Sequence, residues 1–166
     1  MPSTYEPIAT STLGSAAASI TFSSIAATYT DLILVATGVT TDNAVAIFLR
    51  FNSDTSSVYS QTRVGGDGST ASSGQNTALS FLSATGFSGS SSTIPSTRTI
   101  NVFSYAGSTF KTTLGFVSED KNGSGAVTNA VGLWRNTAAI TSVSLTPSSG
   151  NLATGYTATL YGVKNA

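Results

Sequence analysis

Along most of the chain, apolar and polar residues alternate with a period of two, the mark of a strand buried on one face. In NAVAIFLRF, Val45, Ile47, Leu49 and Phe51 share one face while Ala46, Phe48 and Arg50 share the other. In RTINVFSY, Ile100 and Val102 oppose Asn101, Phe103 and Tyr105. In AITSVSL, Thr141, Val143 and Leu145 oppose Ser142 and Ser144. The closing YTATLYGV sets Thr157, Thr159, Tyr161 and Val163 against Tyr156, Ala158 and Leu160. Further strands are predicted at 19–24, 30–37, 58–64, 76–82, 111–118 and 126–134. These ten segments are rich in β-branched and aromatic residues and are bounded by turn clusters such as TGVTTDN, GGDGS and EDKNGSG. No helical period runs longer than a turn or two. Many short strands at this spacing predict an all-β fold, an antiparallel β-sandwich of jelly-roll type.

Two stretches stand apart from the alternation. The opening MPSTYEPIATSTLGSAAASITFSS carries one charged side chain, Glu6. It lacks the basic residues and continuous apolar run of a secretory leader, and no window of the chain supplies about 20 apolar residues for a membrane helix. Residues 1–18 are therefore expected to form an extended N-terminal arm covered by its own domain or by a neighbour. Tyr5, Pro7, Ile8 and Leu13 are its candidate contacts. The second stretch, 65–97, is a Ser/Gly-rich excursion with one expected strand. Phe81, Leu82, Phe87 and Ile94 are its candidate interface residues. The remaining 19–166 form a single sandwich domain, in keeping with a chain of 166 residues.

Composition narrows the chemistry. Seven basic residues balance seven acidic ones, and only 8% of the chain is charged, where about 25% is usual. The basic residues are scattered singly, which argues against an electrostatic partner such as nucleic acid. A net charge near zero favours association, so an assembly is the expected working state. Ser and Thr, about a third of the chain, keep the surface hydrated without charging it.

With no His and no Cys, the usual general base, the thiolate nucleophile and the commonest metal ligand are missing. Three lysines leave a serine–lysine pair as the one open nucleophilic arrangement. Most of the seven acids sit in turn-like sequence, where Asp caps nearby backbone N–H groups. No cluster has calcium-loop spacing. Trp134, on the strand VGLWRN, is expected as a core or interface anchor. No enzyme, cofactor, metal or small-molecule substrate emerges.

Several stretches together resemble small β-rich virion proteins of tailed bacteriophages, many of them from aquatic and cyanobacterial hosts. They are SITFSSIAATYTDLILVATG, IFLRFNSDTSSVYS and VGLWRNTAAITSVSLTPSSGNLATGYTATLYGVKNA. The ordered series Y-T-D-L, L-R-F-N-x-D, W-R and G-N-x-A-T-G…L-Y-G-x-K spans Tyr29 to Lys164. The resemblance implies a non-enzymatic structural protein on the capsid surface. Such a cement or decoration protein binds the major capsid protein, commonly as a homotrimer. The alternative it leaves open is a tail-fibre or carbohydrate-binding module, with Trp134, Tyr156 or Tyr161 as stacking surfaces.

Overall fold

The computed structural model describes residues 5–85, 87 and 89–164. Among these, twelve strands follow one another: β1 Tyr5–Thr12, β2 Ile20–Phe22, β3 Asp31–Gly38, β4 Ile47–Phe51, β5 Tyr59–Gly66, β6 Ala71–Leu79, β7 Leu82–Ser83, β8 Ser96–Val102, β9 Lys111–Asp120, β10 Gly125–Trp134, β11 Val143–Pro147 and β12 Thr157–Val163. They form two antiparallel sheets. One has eight strands in the order β1-β12-β3-β8-β9-β10-β5-β6, the other four in the order β2-β11-β4-β7. The all-β sandwich is as expected from the alternation. The sheets are unequal, however, and β8, β9 and β10 run as a meander. A jelly roll divides its strands over two Greek keys, so the strand order here is its own.

The core lies between the sheets. Val45, Ile47, Leu49 and Phe51, which share a face in the sequence, are all buried. Leu32, Leu34, Ile100, Val102, Ala158 and Leu160 meet them from the larger sheet. Trp134 is fully buried, with ring centroids 5.6 Å from Phe51 and 6.2 Å from Tyr59. Its indole N–H donates to Asp54 Oδ2 at 2.8 Å, which satisfies the polar end of a large apolar side chain.

Of the expected arm, residues 1–4 lie outside the described residues; residues 5–12 are extended, and what covers them is the chain's own β12. β1 pairs with β12 from Tyr5↔Val163 to Thr12↔Thr157, with a bulge between Pro7 and Ala9. Hydroxyl pairs Thr10–Thr159 and Thr12–Thr157 bond across it at 3.0 and 2.9 Å. Ile8 and Leu13 pack on the core. Pro7 and the bulge interrupt the alternation, which hides this strand from the sequence. The excursion differs as well. It holds the second strand of a hairpin, β6, five residues earlier than the expected 76–82, and then the two-residue β7.

A buried arginine ties the region after β7 to the body. Arg98, on the inner face of β8, has no exposed surface and no carboxylate partner among the described residues. Its Nε donates to the Ala84 carbonyl at 2.9 Å, Nη1 to the Tyr156 hydroxyl, and Nη2 to the Ser90 and Ser96 hydroxyls. The planar fork reaches acceptors from three segments at once, a geometry that a lysine cannot reproduce. Arg98→Lys should cost on the order of 3 kcal/mol, the scale for breaking a buried charged network, seen as a lowered urea midpoint.

Burial also sets an alkaline limit. Burial first, and the nearby Asp54 charge second, push the Tyr59 hydroxyl up from 10.0 to about 12. Burial likewise raises Tyr105 and Tyr156. Below pH 10 this stability is intact. Above it the unfolded chain ionises while the folded one resists, so stability falls as pH rises toward 12. Urea titrations across that window should show the decline, and Tyr59→Phe should flatten its slope.

Candidate interaction surface

The outer face of the eight-stranded sheet is built from cross-strand rows. One row runs Tyr161, Ile33, Asn101, Leu114, Val131 and Thr62 across six strands. The next runs Thr159, Val35, Thr99, Phe116, Asn129 and Val64. Charged side chains are absent from the described outward positions between the two ends of this face. Asp31 marks one end, where it accepts the Ser104 N–H at 2.7 Å, and Asp120 marks the other, where it accepts the Asn122 N–H at 2.9 Å.

On β9 the usual polarity is inverted. Lys111, Thr113, Gly115, Val117 and Glu119 point inward and are covered, while Leu114 and Phe116 point outward. Phe116 is 51% exposed and Val131, on the neighbouring β10, is equally so. Val127 and Val64 join them, giving an apolar patch across β9, β10 and β5. Thr62, Val64, Leu114 and Val131 also line a shallow groove of about 290 Å³.

The inversion has a packing cause. Leu49, Leu82 and Ala84 face Gly115 and Ala130 on the inner side of the larger sheet, and Leu82 leaves no room for a side chain at Gly132, the partner of Thr113. A Cβ on Gly132 would lie 2.9 Å from the Leu82 methyl carbons. The fit leaves a void of about 20 Å³.

The inward charges are structural. Lys111 Nζ donates to the carbonyls of Gly107, Thr109 and Thr137, and burial pulls its ammonium below the usual lysine range. Ser108 stands three residues before it, the spacing of an S-x-x-K pair. Its hydroxyl is exposed and the ammonium is occupied by carbonyls, so the pair does not form a nucleophile–base arrangement. Glu119, itself covered, faces Lys121 at 3.1 Å. Among the described residues no group of three or more acidic side chains is placed to hold a metal ion.

The residues expected at an interface scatter. Tyr5 and Pro7 are exposed on β1, at the far edge of this same sheet. Ile8 and Leu13 are half-buried against the core. Phe81 stacks on Phe48 at 3.8 Å, with the Arg50 guanidinium over both rings. Phe87 is partly exposed under Arg63. Ile94 is half-buried at the rim of an open cleft beside Pro95 and Glu119. Leu82 and Trp134 are buried, and neither can serve an interface, because the sandwich already covers them. Tyr156 is buried too, which removes two of the three stacking surfaces expected for a sugar. The exposed Leu114, Phe116, Val127, Val131 and Val64 were not singled out from sequence. Period two shows that a strand has two faces but leaves open which one is covered. No family model, curated protein or solved structure matches the chain.

The face assignment predicts opposite outcomes for neighbours on β9. Phe116→Ser should leave stability within about 0.5 kcal/mol. Val117→Ser, which buries a hydroxyl, should cost about 1–3 kcal/mol. Urea denaturation of both variants measures the contrast, and equal losses would overturn it.

Proposed function

We propose that this chain is a non-enzymatic structural protein of a tailed-bacteriophage particle. In this reading it is a cement or decoration protein, and the uncharged face of its eight-stranded sheet lies against the major capsid protein. The observation that carries the reading is the inverted β9, which turns Leu114 and Phe116 to solvent beside Val131. Contiguous apolar surface of this kind marks an interaction site, and the absence of charge fits a partner held by apolar burial. The resemblance over Tyr29–Lys164 supplies the particle. The neutral composition agrees with it, since burial at about 25 cal/mol per Å² is not screened by salt.

The arm is not the clasp here, because β1 is engaged with β12. Of the three aromatics a fibre-tip sugar module would use, Trp134 and Tyr156 lie in the core, which leaves Tyr161 on the outer face.

Quantitative mass spectrometry of purified particles tests the reading. Copies on the scale of the major capsid protein are the expected result, a handful would move the chain to the tail, and none would refute a virion role. On the shell, Val131→Lys should abolish attachment while the wild type stays bound from 50 mM to 1 M NaCl, each followed by co-sedimentation with capsids.

A further inference from the structure

The two edges of the large sheet are treated differently by the sequence. At the β1 edge, Pro7 lacks an N–H, a bulge breaks the ladder after it, and Glu6 is engaged by Lys164 at 3.0 Å. These are the devices that keep an edge strand from pairing with another chain. At the opposite edge β6 reads ASSGQNTAL, nine residues with no proline and no charge, and most of its positions are exposed. Its one irregularity, the register shift opposite Tyr59/Gln61, lies at its far end. The part from Ala71 to Asn76 pairs regularly with β5.

Which backbone groups face outward follows from the turn. The Asp67 N–H donates to the Thr70 carbonyl at 3.3 Å, closing the β5–β6 hairpin. Bonded and non-bonded pairs alternate along an antiparallel ladder. The pairs Gly65/Ser72, Arg63/Gly74 and Gln61/Asn76 are therefore the bonded ones. The N–H and C=O groups of Ala71, Ser73 and Gln75 point away from β5, along an open edge.

We infer that β6 pairs with β6 of a second copy, antiparallel about a two-fold axis, to join two large sheets into one. The occupant follows from self-complementarity. A two-fold interface sets a surface against itself, so it tolerates no concentrated charge, and β6 has none. With Ser73 opposite its own copy, Ala71 faces Gln75 of the other strand and about six backbone hydrogen bonds close the ladder. The serine hydroxyls meet on the outer face, a favourable cross-strand pair, and Ser72 and Gly74 are small enough for close approach on the other. Val64 on β5 then brings the apolar patches of both copies onto one continuous face. This pairing stands independently of what that face binds.

Sedimentation of the full chain over a range of concentrations tests it. The wild type should pass from one chain to two as concentration rises. Ser73→Pro removes an outward N–H at an edge position where proline is tolerated. Ser73→Lys sets like charges against each other at the axis. Either variant, if its circular dichroism and melting temperature match the wild type, should stay a monomer at least tenfold higher in concentration. Ser11→Lys, on the guarded edge, should still dimerise. A wild type that stays monomeric, a three-chain species, or dimerisation unchanged in a folded Ser73 variant would each overturn the inference.

Discussion

Arg98 is the point on which the sandwich depends. A guanidinium with no solvent and no carboxylate is tolerable only if neutral acceptors surround it. Here they come from the Ala84 carbonyl, two serines and Tyr156. Satisfying that one group ties Ala84, Ser90 and Ser96 to β8 and seats Tyr156 at the start of β12. The bridge between Val45 and Ser90 then extends the small sheet's side of the fold. In a sequence stretch with the composition of a loose loop, Ser90 and Ser96 are held because a buried charge needs their hydroxyls.

The same economy governs where charge goes. Arg98, Lys111 and Glu119 are turned inward, and Asp54 caps Trp134. Asp67 caps its own hairpin turn, accepting the Thr70 N–H at 2.7 Å and the Ser69 N–H at 2.9 Å. Charge withdrawn into structural duty leaves the broad outer face neutral. That face can sit against an apolar partner without desolvating an ion, a cost of several kcal/mol per group. The guarded β1 edge and the open β6 edge extend the logic to the sheet's borders. One border is closed by Pro7 and an ion pair, and the other presents small neutral residues and free backbone groups.

Much of the fold was legible in the chain. Nine of the strands follow from period two, the expected 76–82 falls across β6 and β7, and Val45, Ile47, Leu49 and Phe51 are placed together on one face by it. The number of residues, the absence of His and Cys, and the scarcity of charge bounded the chemistry before any geometry. β1 was missed because Pro7 and a bulge break its alternation, and β7 because two residues carry no period. Trp134 could be placed on a strand but not assigned to core or interface.

The sequence by itself determined that strands would form, that they would be two-faced, and that no catalytic set built on His or Cys was available. Only the tertiary structure decided which face of each strand is covered. On β9 local hydrophobicity favours burying Leu114 and Phe116, yet Thr113, Gly115 and Val117 are the ones inside. The reason is non-local: on the neighbouring β10, Leu82 of the other sheet lies where a Cβ on Gly132 would go, which turns that side of β10 inward. Cross-strand register then carries the choice to β9 and β5. The apolar surface follows from a fit between two sheets, and a single strand does not contain that information.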